Sequence, residues 1–184
     1  MCSSDLFPIP PPPPIPPFKE PLMTVEIVVD SERQTDVLGQ ILAETLPNGA
    51  VVALLGTLGA GKTRLVQAVA AASGVPRDEV GSPTFVLVRE YEGDRSIFHF
   101  DAYRLRDSDE FLELGPDEYF ESDGLSFVEW ADKVEDATPE DRLEIVVEPI
   151  DATSRRFLVT SRGEFVPDFE TVLLNRWKNT TLQE

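Results

Sequence analysis

The chain has 184 residues, 41% apolar and 27% charged, an ordinary balance for a globular protein with a packed core. Sixteen Lys and Arg against thirty-four Asp and Glu give a formal net charge of −18, which repels phosphate backbones at long range and argues against independent nucleic-acid binding. No apolar run approaches the ~20 residues that span a bilayer, which excludes a membrane protein. The single cysteine, Cys2, excludes a disulfide frame, so a reducing cytoplasm is the expected compartment.

Residues 1–22 stand apart as a proline-rich segment. Phe7-Pro8-Ile9-Pro10 leads through Pro11 to Pro14 into Ile15-Pro16-Pro17, a run suited to polyproline II but not to helix or strand. It lacks the cationic start and unbroken apolar helix of a signal peptide. The expectation is a disordered tail or a misassigned start, with Met23 opening a single domain over 23–184.

From Val25 the pattern is regular. Val25 to Val29 suits a strand, and Ser31-Glu32-Arg33-Gln34 is a capping box for the helix that follows. Val37, Leu38, Ile41, Leu42 and Leu46 recur at helical spacing until Pro47-Asn48-Gly49 stops them. Val51 to Leu55 is a continuous apolar run, as in a strand buried on both faces. A glycine-rich loop and a helix from about Lys62 to Ser73 come next, ended by Gly74 and Pro76.

Phe85 to Tyr91 and Ser96 to Phe100 flank a turn and predict a β-hairpin. Short acidic helices are expected near 107–114 and 116–121, then an apolar strand, Leu125 to Glu129. Leu143–Val147 and Arg156–Thr160 read as a second antiparallel pair. Asp168 to Trp177 reads as an amphipathic helix carrying Val172, Leu173 and Trp177. Strand–loop–helix units mixed with hairpins give an α/β class with a mixed parallel and antiparallel sheet.

The loop Gly56-Thr57-Leu58-Gly59-Ala60-Gly61-Lys62-Thr63 fits G-x-x-x-x-G-K-[ST], a P-loop, between a buried strand and a helix. Its glycines let backbone N–H groups turn inward around a phosphate. Lys62 supplies a point charge to the β and γ phosphates, and Thr63 offers a hydroxyl to Mg²⁺ at a helix N-terminus that favours anions. A Mg·NTP site also needs a carboxylate at a neighbouring strand end. Asp101 and Glu129 both end strands, and spacing does not decide between them. His99 is the only histidine and reads as a packed or hydrogen-bonded structural residue. Ser82-Pro83-Thr84 is a rigid turn or a pair of hydroxyls that sense a γ-phosphate.

The set Gly56–Thr63, Ser82-Pro83-Thr84-Phe85, His99-Phe100-Asp101-Ala102-Tyr103-Arg104-Leu105 and Glu129-Trp130 resembles the TsaE (YjeE) family in order and spacing, across about residues 25–162. The resemblance implies a P-loop NTPase-type three-layer fold and a small ATPase serving N6-threonylcarbamoyladenosine synthesis beside the tRNA anticodon. TsaD and TsaB would be its partners, ATP and Mg²⁺ its ligands, and tRNA would be met only through the complex. Carried over, Leu58, Gly59, Ala60, Gly61, Lys62, Thr63 and Arg64 would hold the phosphates. Thr63 and Glu129 would sit at Mg²⁺, and Asp101 would serve hydrolysis together with Lys62 and Glu129. Thr35 and Trp130 would lie against the nucleotide, Ser82 and Thr84 would form a switch-like segment, and Arg104 would buttress Asp101 or face the partner. Thr57 stands where the family usually has Asp, a departure that bears on hydrolysis rate rather than on binding.

Two other readings remain beside this one: a small-molecule kinase, for which Arg104, Arg106, Arg155 or Arg156 would supply lid arginines, and a non-catalytic ATP-gated interaction module. A GTP switch is disfavoured, since no Asn-Lys-x-Asp signature occurs.

Overall fold

Alternation decides the first strand. In the computed structural model, which describes residues 23–182, β1 (Thr24–Val29) buries Val25, Ile27 and Val29 and exposes the residues between them, the period of two that one covered face demands. Cys2 and the proline-rich segment 1–22 lie outside the described residues. The capping box forms at α1 (Glu32–Thr45): the Ser31 hydroxyl accepts the Gln34 N–H at 3.4 Å. The Gln34 side chain accepts from Asp30 N at 3.0 Å, one residue before the usual partner. β2 (Val51–Leu55) is buried on both faces, and α2 (Lys62–Ala72) starts inside the P-loop.

The remaining elements are β3 (Val88–Tyr91), β4 (Ile97–Asp101), α3 (Ser108–Leu112), α4 (Pro116–Phe120), β5 (Leu125–Glu129), β6 (Arg142–Pro149), β7 (Arg155–Arg162) and α5 (Phe169–Thr181). They build one seven-stranded sheet in the order β1-β7-β6-β2-β5-β4-β3. β2 runs parallel to β5 and β6, and β4 parallel to β5; the other pairs are antiparallel. One core joins α1, α2 and α5 to a face carrying Ile27, Leu54, Phe127, Ile145 and Val159. A second lies under Ala53, Phe100 and Val128 and is closed by Phe111, Ala131 and Val134. Sheet between two covering layers is the three-layer α/β fold with a mixed sheet that the sequence predicts.

Two expected elements differ. The strand expected from Phe85 begins only at Val88. The Pro83 carbonyl accepts N–H groups from Val86 (2.9 Å) and Leu87 (2.7 Å), and Leu87 turns to φ +69°, so the segment is a turn with Phe85 82% exposed. The last helix runs on to Thr181 and buries Phe169, Leu173 and Trp177, four residues apart, while Val172 is 46% exposed.

Candidate nucleotide site

The register of three parallel strands sets the site. Leu54 on β2 pairs with Glu129 on β5, and Glu129 pairs with Asp101 on β4. Both acids therefore end level with the strand that feeds the P-loop, at the carboxyl edge where open α/β sheets bind ligands. Glycine is required at Gly56: φ is +134°, and an added Cβ would meet the Val147 carbonyl at 2.3 Å. Gly61 opens α2 at φ +112°, a conformation that other residues rarely adopt.

Lys62 is buried, 4% exposed, with Nζ donating to the carbonyls of Gly56 (2.8 Å) and Thr57 (3.1 Å) and lying 3.9 Å from the centroid of the Trp130 ring. Burial pushes its ammonium below the ordinary lysine value, while Glu129, Asp101 and Asp132 pull the other way. The cation is thus parked on its own loop, beside two buried carboxylates.

The two acids keep different company. Glu129 Oε1 accepts the Thr63 hydroxyl at 2.6 Å and lies 2.8 Å from Nε2 of the fully buried His99. Asp101 Oδ2 accepts hydroxyls from Thr84 (2.5 Å) and Ser82 (3.3 Å), and its Oδ1 accepts Tyr103 N at 2.9 Å. Of the two strand-end acids, Glu129 is the one in contact with Thr63.

Two clefts meet at the loop. One, of about 360 Å³, is lined by residues 58–64 together with Ser82, Thr84, Asp101, Glu129 and Trp130. The other, of about 380 Å³, takes Thr35, Thr153, Arg155 and Phe157 and shares Gly59, Gly61 and Arg64 with the first. Thr63 and Glu129 offer oxygen donors of the kind Mg²⁺ prefers. Among the described residues no group of three or more His, Cys, Asp or Glu side chains is placed to hold a metal ion.

The family model described as "Threonylcarbamoyl adenosine biosynthesis protein TsaE" matches residues 29–157. The chain belongs to the TsaE family. It is 37% identical over 131 residues to the tRNA threonylcarbamoyladenosine biosynthesis protein TsaE of Bacillus subtilis, covering 71% of this chain and 81% of that protein. It is 40% identical over 110 residues to the protein of the same name from Aquifex aeolicus, covering 59% and 77%. The crystal structure of Bacillus subtilis YdiB superposes with a TM-score of 0.69 at 26% identity, covering 88% of this chain and 99% of that one.

Within this TsaE-family site, the structure brings the sequence-predicted residues Leu58 to Arg64, Asp101, Glu129 and Trp130 around the first cleft and Thr35 onto the second. Thr35 is buried and donates its hydroxyl to the Ser31 carbonyl at 3.4 Å. Arg64 is tied down by Asp36 (2.5 Å) and the Glu32 carbonyl (3.2 Å). Thr57 is exposed and engages Lys62 only through its backbone carbonyl. Arg104 does not buttress Asp101: its guanidinium lies over the Phe85 ring, 4.1 Å from the centroid. Tyr103, its ring tilted against Trp130 with centroids 5.0 Å apart, supplies the backbone N–H that Asp101 uses. The sequence offered Arg155 only as a lid arginine of the kinase reading and not as a support of the loop backbone, where its Nε donates to the Ala60 carbonyl at 2.9 Å. A contact spanning 95 residues leaves no local signal.

Proposed function

We propose that this chain is a Mg²⁺-dependent ATPase required for N6-threonylcarbamoyladenosine modification of tRNA next to the anticodon, working in the cytoplasm with TsaD and TsaB. Residues 23–184 form its single P-loop ATPase domain. The observation that carries the reading is the Thr63–Glu129 contact beside buried Lys62, in a chain of the TsaE family. A net charge of −18 supports meeting tRNA only through the complex. No helix among the described residues is long and apolar enough to cross a membrane.

The N–H groups of residues 58–64 cradle the phosphates, and Lys62 leaves the Gly56 and Thr57 carbonyls to join them. Thr63 and Glu129 would hold Mg²⁺, which would supply charge neutralisation at the phosphates. His99, 2.8 Å from Oε1, fixes the Glu129 carboxylate. Asp101, its carboxylate oriented by Ser82, Thr84 and Tyr103, positions the attacking water. Thr35 and the second cleft receive the nucleoside, with Trp130 closing over the phosphate end.

Phosphate release tests this. The isolated protein should turn over Mg·ATP slowly, and the rate should rise sharply when TsaD and TsaB are added. Lys62→Ala should weaken nucleotide binding by about ten- to hundredfold, the loss of a charge-assisted contact. Asp101→Ala should keep binding and lose hydrolysis. Depleting the protein should lower threonylcarbamoyladenosine in tRNA; unchanged modification, or rapid transfer of phosphate to a small metabolite, would overturn the proposal.

A further inference from the structure

The P-loop is held from two sides, and only one hold must let go when a phosphate arrives. Lys62 grips the Gly56 and Thr57 carbonyls from within, contacts it gives up on binding phosphate. Arg155, at the start of β7, grips the opposite end of the loop: Nε donates to the Ala60 carbonyl at 2.9 Å and lies 3.8 Å from where a Cβ on Gly61 would be. Its Nη1 donates to the carbonyls of Asp151 and Ser154, both at 2.9 Å. That turn is itself fixed, because the Asp151 carboxylate accepts N–H groups from Ser154 (2.7 Å) and Thr153 (2.8 Å), donors that hold its carboxyl down at about 2. The guanidinium is therefore anchored in the β6–β7 turn before it reaches the loop.

A trans peptide points its C=O and the following N–H in opposite directions, and no peptide bond described here is cis. Pinning the Ala60 oxygen toward Arg155 turns the Gly61 N–H away from Arg155. We infer that Arg155 is a positioning residue of the phosphate loop, which holds the Ala60–Gly61 peptide so that the Gly61 N–H faces bound phosphate before the ligand arrives. This rests on the reading of the loop as a Mg·ATP site. Donors oriented in advance bind anions without the cost of reorganising the loop, so the hold adds to affinity directly.

The test uses the full chain and two probes, Mg·ATP and Mg·tripolyphosphate, with affinities measured by calorimetry for wild type, Arg155→Ala and Arg155→Lys. Arg156→Ala, which removes a neighbouring charge paired with Glu26 and Glu148, is the control. Arg155→Ala should weaken both probes by the same factor, about tenfold, the worth of one oriented donor to an anion. Arg155→Lys should fall between, since one ammonium cannot span both carbonyl sets, and Arg156→Ala should match wild type. In wild type the Gly61 amide proton should move downfield on adding tripolyphosphate; in both Arg155 variants that shift should shrink while the Thr63 amide still responds. Unchanged affinity for tripolyphosphate in both variants, with or without a loss for ATP, would overturn the assignment. An unaltered Gly61 response would do the same. Should Arg155→Ala fail to fold, Arg155→Lys alone decides. Wild-type protein that binds neither probe overturns the nucleotide site and this inference with it.

Discussion

Strands β2, β5 and β4 lie side by side and end at the P-loop, while β7 and β1 extend the same sheet on the far side of β6. On the first group, positions facing α2 bury His99, Asp101 and Glu129 among apolar neighbours. On the second, Val25, Ile27, Val29, Phe157 and Val159 fill the equivalent interior, and β6 adds Leu143, Ile145 and Val147. Charges there are mostly paired along the strands, as in Arg162 with Glu144 and Arg156 with Glu148, with Arg142 buried beside Glu144. Burying a polar group costs free energy unless it is fully paired, and both halves carry that cost: His99 Nδ1 and Ser126 Oγ in the first, and Arg142 Nε, Arg156 Nε and Ser161 Oγ in the second, have no hydrogen-bond partner among the described residues. What separates the halves is where the buried charge gathers: His99, Asp101 and Glu129 cluster at the P-loop edge of one, while the interior of the other is mainly apolar packing.

The largest effect that would sharpen this contrast is Ile145→Ala. Ile145 is fully buried, and truncation should cost about 2–5 kcal/mol of unfolding free energy. Nucleotide affinity per folded molecule should stay within twofold of wild type, roughly 0.4 kcal/mol. Denaturant titration with and without Mg·ATP reads both, and a selective loss of affinity would break the division. His99→Leu should behave oppositely. It exchanges a buried imidazole with one unpaired nitrogen for an apolar side chain, so stability should change by less than about 1 kcal/mol. It also removes the group that holds Glu129 Oε1, and Mg²⁺ affinity should fall about tenfold. Titrating Mn²⁺ by electron paramagnetic resonance, without turnover, measures that directly. A variant that loses several kcal/mol of stability while its folded molecules bind Mn²⁺ as wild type does would place His99 with the stabilising half.

These contrasts explain what the sequence made legible. The P-loop, the capping box and the acid at the end of each apolar run are local patterns, written within a few residues, and they identify the ingredients of the site. Contact between Glu129 and Thr63, rather than Asp101, depends on how β5 sits against α2 across 66 residues, and no spacing encodes that. His99 reads as structural from its strand, and its partner Glu129 emerges only from the pairing of β4 with β5. The Thr84–Leu87 segment has the aromatic and branched residues of a strand, yet the Pro83 carbonyl captures two of its N–H groups and makes a turn. Val172-Leu173-Leu174 offers three consecutive apolar residues, so the phase of the last helix is set by its packing on α1 and β1 and not by the run itself.

The smallest expected effect tests the margin of the stable half. Arg162 donates to both Glu144 oxygens, at 2.7 and 3.1 Å, a bidentate geometry that reads as a strong pair. Its guanidinium side is 38% exposed, however, and solvent screening discounts such pairs to about 1 kcal/mol or less. Arg162→Ala does not leave Glu144 stranded either, because Arg142 lies 3.9 Å from the same carboxylate and can take it over. The expected loss is therefore below about 1 kcal/mol, with nucleotide and Mg²⁺ affinities unchanged. A double-mutant cycle with Glu144→Gln isolates the pair. A coupling above about 2 kcal/mol would show that charge, and not only apolar packing, carries the antiparallel half.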